Sequence, residues 1–320
     1  MNPAPKSEWI SWLDYIFVLR PMLFYPGWST LLAGYFIAGS NYSTVINWSL
    51  QNIDHTVVLT LLLSFAAVMG SSFILNQLQD IESDRQNKKL FIISGGLLKR
   101  KYLVIETVIL TVLALILALT LSLRVALLIL SFFLVTGILY NFQPAAMKDR
   151  PWGSLAANMI MGGLAFAIGW CAVRSCSFSL ITDLLPYLFF NTALYLFTTL
   201  PDIAGDIQVD KKTLAVIYGK TGIIRAAFVS YLLGFICALM AGDELALIFY
   251  VLSLPFFIIN VVSGRIADTL RATKFGILFF ALGICLHWPL YFLLMIAGFF
   301  ATRFYFHRRF NFNYPNFSGN

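Results

Sequence analysis

Charge is what this sequence has least of. Only 12% of its 320 residues are Asp, Glu, Lys or Arg, 15 of them acidic and 22 basic, where an ordinary soluble domain carries roughly 25%. No stretch is long and polar enough to make a soluble domain, so a water-soluble globular protein is excluded. Cysteine is also sparse. The four present form no CxxC pair and have no partnering histidine, which argues against structural zinc. All four are read as buried thiols, with a Cys171–Cys176 pair near an outer helix end as the alternative. The opening fourteen residues hold no apolar stretch backed by a small-residue cleavage site, so a removed signal peptide is not expected.

What fills the chain instead is apolar, 59% of residues at a mean hydropathy of +0.81. Apolar runs of about 17 to 25 residues recur from end to end, each long enough to cross a bilayer. Nine helices are predicted, near residues 22–37, 57–78, 102–121, 125–140, 155–173, 184–200, 223–240, 246–264 and 275–301. The expected fold is all-α and integral to the lipid bilayer, one domain over residues 1–320. An N-terminal segment to about residue 19 is placed in the cytoplasm, and a tail from about residue 302 in the interface. His287-Trp288-Pro289 interrupts the ninth run and leaves eight or ten spans open.

Alternating helices put the second, fourth, sixth and eighth connections on the N-terminal side. Up to residue 274 every Lys and Arg except Arg124 and Arg174 lies on that side, which makes it cytoplasmic by the positive-inside rule. Arg303, Arg308 and Arg309 dissent, because nine spans place them outside. The net charge of +7 is therefore read as topology signals and contacts to an anionic ligand, with no nucleic-acid partner.

Scarcity makes the placement of the acids informative. Six of the 15 fall in two short windows, Asn76 to Arg85 and Pro201 to Asp210, each at the end of an apolar run on the cytoplasmic side. Asn76, Asp80 and Asp84 repeat the spacing of Asp202, Asp206 and Asp210, and a basic pair follows each, Lys88-Lys89 and Lys211-Lys212. Four helices separate the copies. A duplicated four-helix unit with one helix added would face the windows across a central cavity. Residues at i, i+4 and i+8 share a helical face, and hard oxygen ligands without Cys or His select Mg²⁺, or Mn²⁺. Two acidic clusters without a phosphate-cradling glycine loop point to a diphosphate carried between metal ions. Arg85 and Lys88, Lys211 and Lys212, and the Tyr140-to-Lys148 stretch supply cations and a phenol on the same side. Solvated charges at helix ends are the bland alternative, weakened by the repeat. Asn158, Asn191, Tyr195, Thr198 and Asn260 are polar groups within apolar runs. The first four are candidates for an acceptor pocket, against plain interhelical hydrogen bonding. His287 is read as filling a kink.

At these residues the sequence resembles the UbiA superfamily of intramembrane prenyltransferases. Asn76 to Asp84 is similar to the family's NDxxDxxxD box except that Gln77 stands for an aspartate. Pro201 to Asp206 is similar to its DxxxD box, and Tyr140 with Lys148 to the motif between them. Arg20-Pro21, Asn87-Lys88 and Thr213 to Val216 extend the match, while 89–95 lacks the family's prolines. The resemblance implies a nine-helix bundle around a cavity, Mg²⁺ dependence, a polyprenyl diphosphate donor and a hydrophobic or aromatic acceptor. It implies that Asn76, Asp80, Asp84, Asp202 and Asp206, and less firmly Asp210, hold metal. It also implies that Arg20, Asn76, Arg85, Tyr140 and Lys148 contact diphosphate, with Asp80, Asp84, Asp202, Asp206, Tyr140 and Lys148 as the catalytic set. Family members using a glycerol-phosphate lipid, a tetrapyrrole or a phosphoribosyl donor are the enzymatic alternatives. A cation-coupled transporter is the alternative from another class, disfavoured by a repeat that is parallel rather than inverted.

Overall fold

A backbone in hydrocarbon must satisfy its own N–H and C=O groups, and unbroken apolar runs do so as helices. In the computed structural model, which describes residues 8–39, 53–81, 84, 92–208 and 211–315, no strand occurs among the described residues. The long helices are α1 Phe24–Gly39, α2 His55–Gln79, α3 Arg100–Leu121, α4 Leu123–Phe133 and α5 Pro151–Val173. They continue as α6 Ser179–Thr198, α7 Leu214–Ala241, α8 Glu244–Ser263, α9 Ile266–His287 and α10 Leu290–Phe310. Eight of these are long and apolar enough to cross a membrane. The others are α1, with 16 residues, and α4, which runs on through a π-helical turn, Leu134–Leu139. This is an integral, multi-pass membrane protein.

Local polar residues set several helix starts. Asp54 accepts from the amides of Thr56 and Val57, Ser122 from Val125, Thr213 from Val216 and Asp243 from Ala246. Each side chain takes up amide hydrogens that the first turn leaves without a carbonyl.

Two four-helix units, α1–α4 and α5–α8, are related as the repeated windows predict. Helix α2 packs along α3 as α6 does along α7, and α1 and α5 lie against each other at the centre. Their approach depends on glycine: a Cβ at Gly34 would stand 2.1 Å from the Phe166 carbonyl oxygen, and one at Gly169 1.9 Å from that of Leu31. Small residues let backbones approach this closely in lipid, where packing rather than the hydrophobic effect drives association.

Several expectations change. The predicted ninth run is two helices, because the chain breaks at Trp288-Pro289 and reverses. Trp288 Nε1 donates to His55 Nδ1 at the far end of α2, 3.1 Å away, and His287 stacks on Phe36. Helix α10 then returns to the N-terminal side, where Arg309 forms a buried pair with Asp14 at 2.8 Å and Tyr305 donates to the same carboxylate. Residues 302–310 therefore continue a helix instead of forming a separate interfacial tail, and Arg303, Arg308 and Arg309 join the other cations. The seventh helix also starts earlier, at Leu214, with a break at Gly219 (φ 66°), because Lys220 and Arg225 hide its first turns from an apolar scan. Cys171 and Cys176 are paired as a disulfide, with Cα atoms 5.7 Å apart, while Cys237 and Cys285 are thiols.

Candidate active site

The first acidic window extends the α2 spiral past its last residue. Asp80 N donates to Asn76 O at 3.0 Å and Asp84 N to Asp80 O at 2.7 Å, so all three side chains stay on one face and line one cavity. Gln77 points the other way. It is buried, and its Nε2 donates to Val18 O and Phe73 O at 2.9 and 3.0 Å.

Arg20 arrives from the N-terminal segment in a left-handed conformation, φ 54°, just ahead of Pro21. A non-glycine residue held there costs about 1–3 kcal/mol, which recurs where function fixes a side chain. Its Nη2 reaches Asp84 Oδ2 at 3.4 Å, and its buried Nε has no hydrogen-bond partner among the described residues. Burial pushes the guanidinium below its ordinary pKa, and Asp84 works in the opposite direction.

The connection after α4 brings in two more groups. Lys148 N donates back to Tyr140 O at 3.2 Å, closing the loop. The buried Lys148 then places Nζ 2.5 Å from Asp80 Oδ1. Burial raises the Tyr140 phenol above its ordinary pKa, with Tyr195 adding to the rise and a hydrogen bond with Ser154 opposing it. The phenol therefore stays protonated and available as a donor. Ser154 and Tyr195 hydroxyls are 2.5 Å apart.

Pro201 and Asp202 form the turn after α6, followed by a short helix, Ile203–Gln208. Asp206 N donates to Asp202 O at 2.8 Å and Lys211 N to Asp206 O at 2.9 Å. The described part of the window thus folds back on itself, and Asp202 and Asp206 line the same cavity as the first window.

One cavity of about 220 Å³ takes in Arg20, Asn76, Asp80, Asp84, Tyr140, Lys148, Tyr195, Thr198, Asp202 and Asp206. Residues up to 186 positions apart thereby share a wall. Lys211, singled out as a cation beside the second window, also lines it. Ser154 and Thr199, which sequence reading passed over, do too, as does Thr213, read in the sequence only as part of the resemblance. Ser154 sits three residues after Pro151 on the first turn of α5, a spacing that would have put it on the same face. Asn191 lies deeper, donating to Thr30 Oγ1 at 2.9 Å, and Asn158 is not in the cavity wall. Asn260 is buried and accepts from Thr269 across the α8–α9 junction at 3.2 Å. Arg85, Lys88 and Asp210 fall outside the described residues.

The donor set suits Mg²⁺ with a diphosphate better than a closed metal site. Among the described residues no three carboxylate, imidazole or thiol groups converge on one point. Mg²⁺ is commonly held by one or two carboxylates and completed by water and substrate phosphate oxygens. Carboxylates from both windows, the cations Arg20 and Lys148 in the same lining, and an Arg20 Nε without a hydrogen-bond partner among the described residues fit that arrangement.

Among solved structures, the chain is similar to a UbiA homolog from Archaeoglobus fulgidus bound to DMAPP and Mg²⁺. The TM-score is 0.67 at 20% identity, covering 89% of this chain and 99% of that one. The same homolog bound to GPP and Mg²⁺ gives 0.65 at 19%, covering 86% and 99%. A digeranylgeranylglyceryl phosphate synthase gives 0.61 at 19%, covering 90% and 98%. At these identities the likeness is one of fold. A search of curated proteins gives no match. The family model for UbiA prenyltransferases matches residues 27–274, a span that holds both acidic windows and the Tyr140-to-Lys148 loop, and the chain therefore belongs to the UbiA prenyltransferase family.

Proposed function

We propose that this enzyme transfers an isoprenoid chain from an allylic polyprenyl diphosphate to an aromatic acceptor, at the cytoplasmic face of its membrane. The observation that carries this is the convergence of both acidic windows with Arg20, Lys148 and Tyr140 on one cavity. Asn76, Asp80, Asp84, Asp202 and Asp206 would hold the magnesium. When bound, Mg²⁺ supplies positive charge that offsets the charge growing on the departing diphosphate.

The protein's own groups do the rest. Arg20 Nε, buried without a partner among the described residues, donates to a non-bridging oxygen. Lys148 exchanges part of its pairing with Asp80 for the diphosphate, and Tyr140 donates to the oxygen that leaves with it. The allylic carbon–oxygen bond breaks and its electron pair goes to the diphosphate. An electron-rich carbon of the acceptor then attacks the allylic cation, and that carbon gives up its proton. Apolar helix walls keep water from quenching the cation.

An aromatic acceptor is supported by Ser154, Tyr195 and Thr198 in the cavity wall, whose hydroxyls suit a phenol or carboxylate held by hydrogen bonds. A glycerol-phosphate acceptor is the second reading, favoured by Lys211 in the cavity wall and by the fold shared with a digeranylgeranylglyceryl phosphate synthase. Two features support the cytoplasmic face: the cations that gather on the site's side, and the Cys171–Cys176 disulfide at the opposite helix ends, since disulfides persist in oxidising compartments.

The test is diphosphate release from geranyl, farnesyl and geranylgeranyl diphosphate by purified protein with Mg²⁺, with aromatic and glycerol-phosphate acceptors in separate arms. Prenylation of the aromatic arm alone is expected. Asp80→Ala and Asp206→Ala should each lower turnover at least 100-fold in folded protein. No release from any donor would reject the reading, and product only in the glycerol-phosphate arm would replace the acceptor.

A further inference from the structure

Asn141 directly follows the cavity tyrosine, yet it is buried and does not line the cavity itself. Its position comes from the π-helical turn at the end of α4. There, Tyr140 N donates to Val135 O, five residues back, while the amides of Asn141 and Phe142 both donate to Ile138 O. The amides of residues 140 to 142 thus bypass the carbonyls of Thr136 and Gly137, and Asn141 Nδ2 donates to both of these, at 2.9 and 3.1 Å. π-Helical turns of this kind cluster at functional sites.

This double tie fixes which way the amide faces. Carbonyl oxygens only accept, so the side of Asn141 turned toward Thr136 and Gly137 is its NH₂ group, and its Oδ1 is turned toward α2. There it accepts from Asn76 Nδ2 at 2.9 Å, and the same Nδ2 gives its other hydrogen to Asp80 Oδ2 at 2.9 Å. Both groups that Asn76 Nδ2 meets can only accept. An amide flip would set Asn76 Oδ1 against two oxygens, a carboxylate among them. One turn deeper, the Ser72 and Thr136 hydroxyls join α2 to the π-helical turn at 2.7 Å, so the two elements are held at two levels.

We infer that Asn141 is a positioning residue: by engaging Asn76 Nδ2 from behind, it turns Asn76 Oδ1 into the cavity as a metal-facing oxygen. This rests on the proposed reading of Asn76 as a ligand. The arrangement explains why an amide rather than a carboxylate heads the first window. A carboxylate at position 76 would face the oxygen of Asn141 and the carboxylate of Asp80 with nothing to donate.

The test uses Mn²⁺ as probe, titrated against the purified full-length protein with inorganic pyrophosphate and followed by the free-ion paramagnetic resonance signal. Asn141→Ala is expected to weaken Mn²⁺ binding about 10- to 100-fold, the usual effect of losing a group that orients a ligand. In an Asn76→Asp background the same change should leave binding unaltered or tighter, since it removes an oxygen that repels the new carboxylate. Asn141→Ser, whose hydroxyl can donate or accept and so orients nothing, gives the same pattern from a milder change. Equal weakening in both backgrounds would mean that Asn141 acts only through the fold and would overturn the inference, as would unchanged affinity of Asn141→Ala in the native background. Asp80→Ala is the control for the site itself. If it binds Mn²⁺ as tightly as the native protein, the metal reading falls and this inference with it. If it loses binding while Asn141→Ala does not, only the inference falls.

Discussion

At position 77 an amide does what a carboxylate cannot. Gln77 Nε2 donates to the Val18 carbonyl, two residues before Arg20, and so ties α2 to the turn that delivers the guanidinium. The family's box has an aspartate here, and in the sequence Gln77 removes one carboxylate at a position off the metal-facing stripe. Its side chain faces away from the cavity and is buried. Replacing it with the nearly isosteric Glu would press a carboxylate against two carbonyls and take from Val18 O the side-chain donor that ties it to α2. A buried group deprived of its partner costs about 1–3 kcal/mol. Gln77→Glu should therefore lower the unfolding temperature in detergent and reduce turnover, and a variant with raised activity would show that position 77 is a ligand position after all. Asn141 carries the same lesson. A single buried amide inside an apolar run leaves no spacing signal, and only the neighbouring acceptors reveal what it orients.

Elements were legible from the sequence where composition alone decides them. Long apolar runs in a chain this poor in charge can only be helices in lipid, and the repeated windows were enough to pair α1–α4 with α5–α8. Boundaries were less legible where cations sit among the first apolar turns, as at Lys220 and Arg225 in α7. They were less legible again where apolar character persists through a reversal, as at Trp288-Pro289 between α9 and α10. The π-helical turn left no trace in composition, although a single extra residue rotates everything after it by about 100° and so sets where Tyr140 and Asn141 point. Helix starts give a prediction of their own. Asp243 caps α8 through the Ala246 amide at 2.9 Å, and burial raises its carboxyl to about 6. The folded protein therefore binds more protons than the unfolded chain between roughly pH 4 and 6. This residue's contribution to stability falls as pH rises through that window, by about 3 kcal/mol at full extent. Asp243→Asn keeps an acceptor for Ala246 N and removes the titration. Thermal unfolding in detergent should show the variant gaining on the native protein from pH 4 to 6.5, and a constant difference would assign the pH dependence elsewhere.

Over the whole molecule, topology does what proximity in sequence does not. Each unit ends its second helix in an acidic window, both windows reach the same face, and close packing at Gly34 and Gly169 brings the units together. The returning α10, held by the Asp14–Arg309 pair, gathers the last arginines on that face as well. The central claim is that the two windows act on one ligand, a diphosphate bridged by metal. The most direct measurement is calorimetric binding of unreactive geranylgeranyl thiodiphosphate to the protein in nanodiscs, with and without Mg²⁺, for the native chain, Asp80→Ala and Asp206→Ala. The prediction is Mg²⁺-dependent binding that either substitution weakens at least tenfold, although the two residues lie on different units. Binding that does not need Mg²⁺, or that survives the loss of one window unchanged, would contradict it.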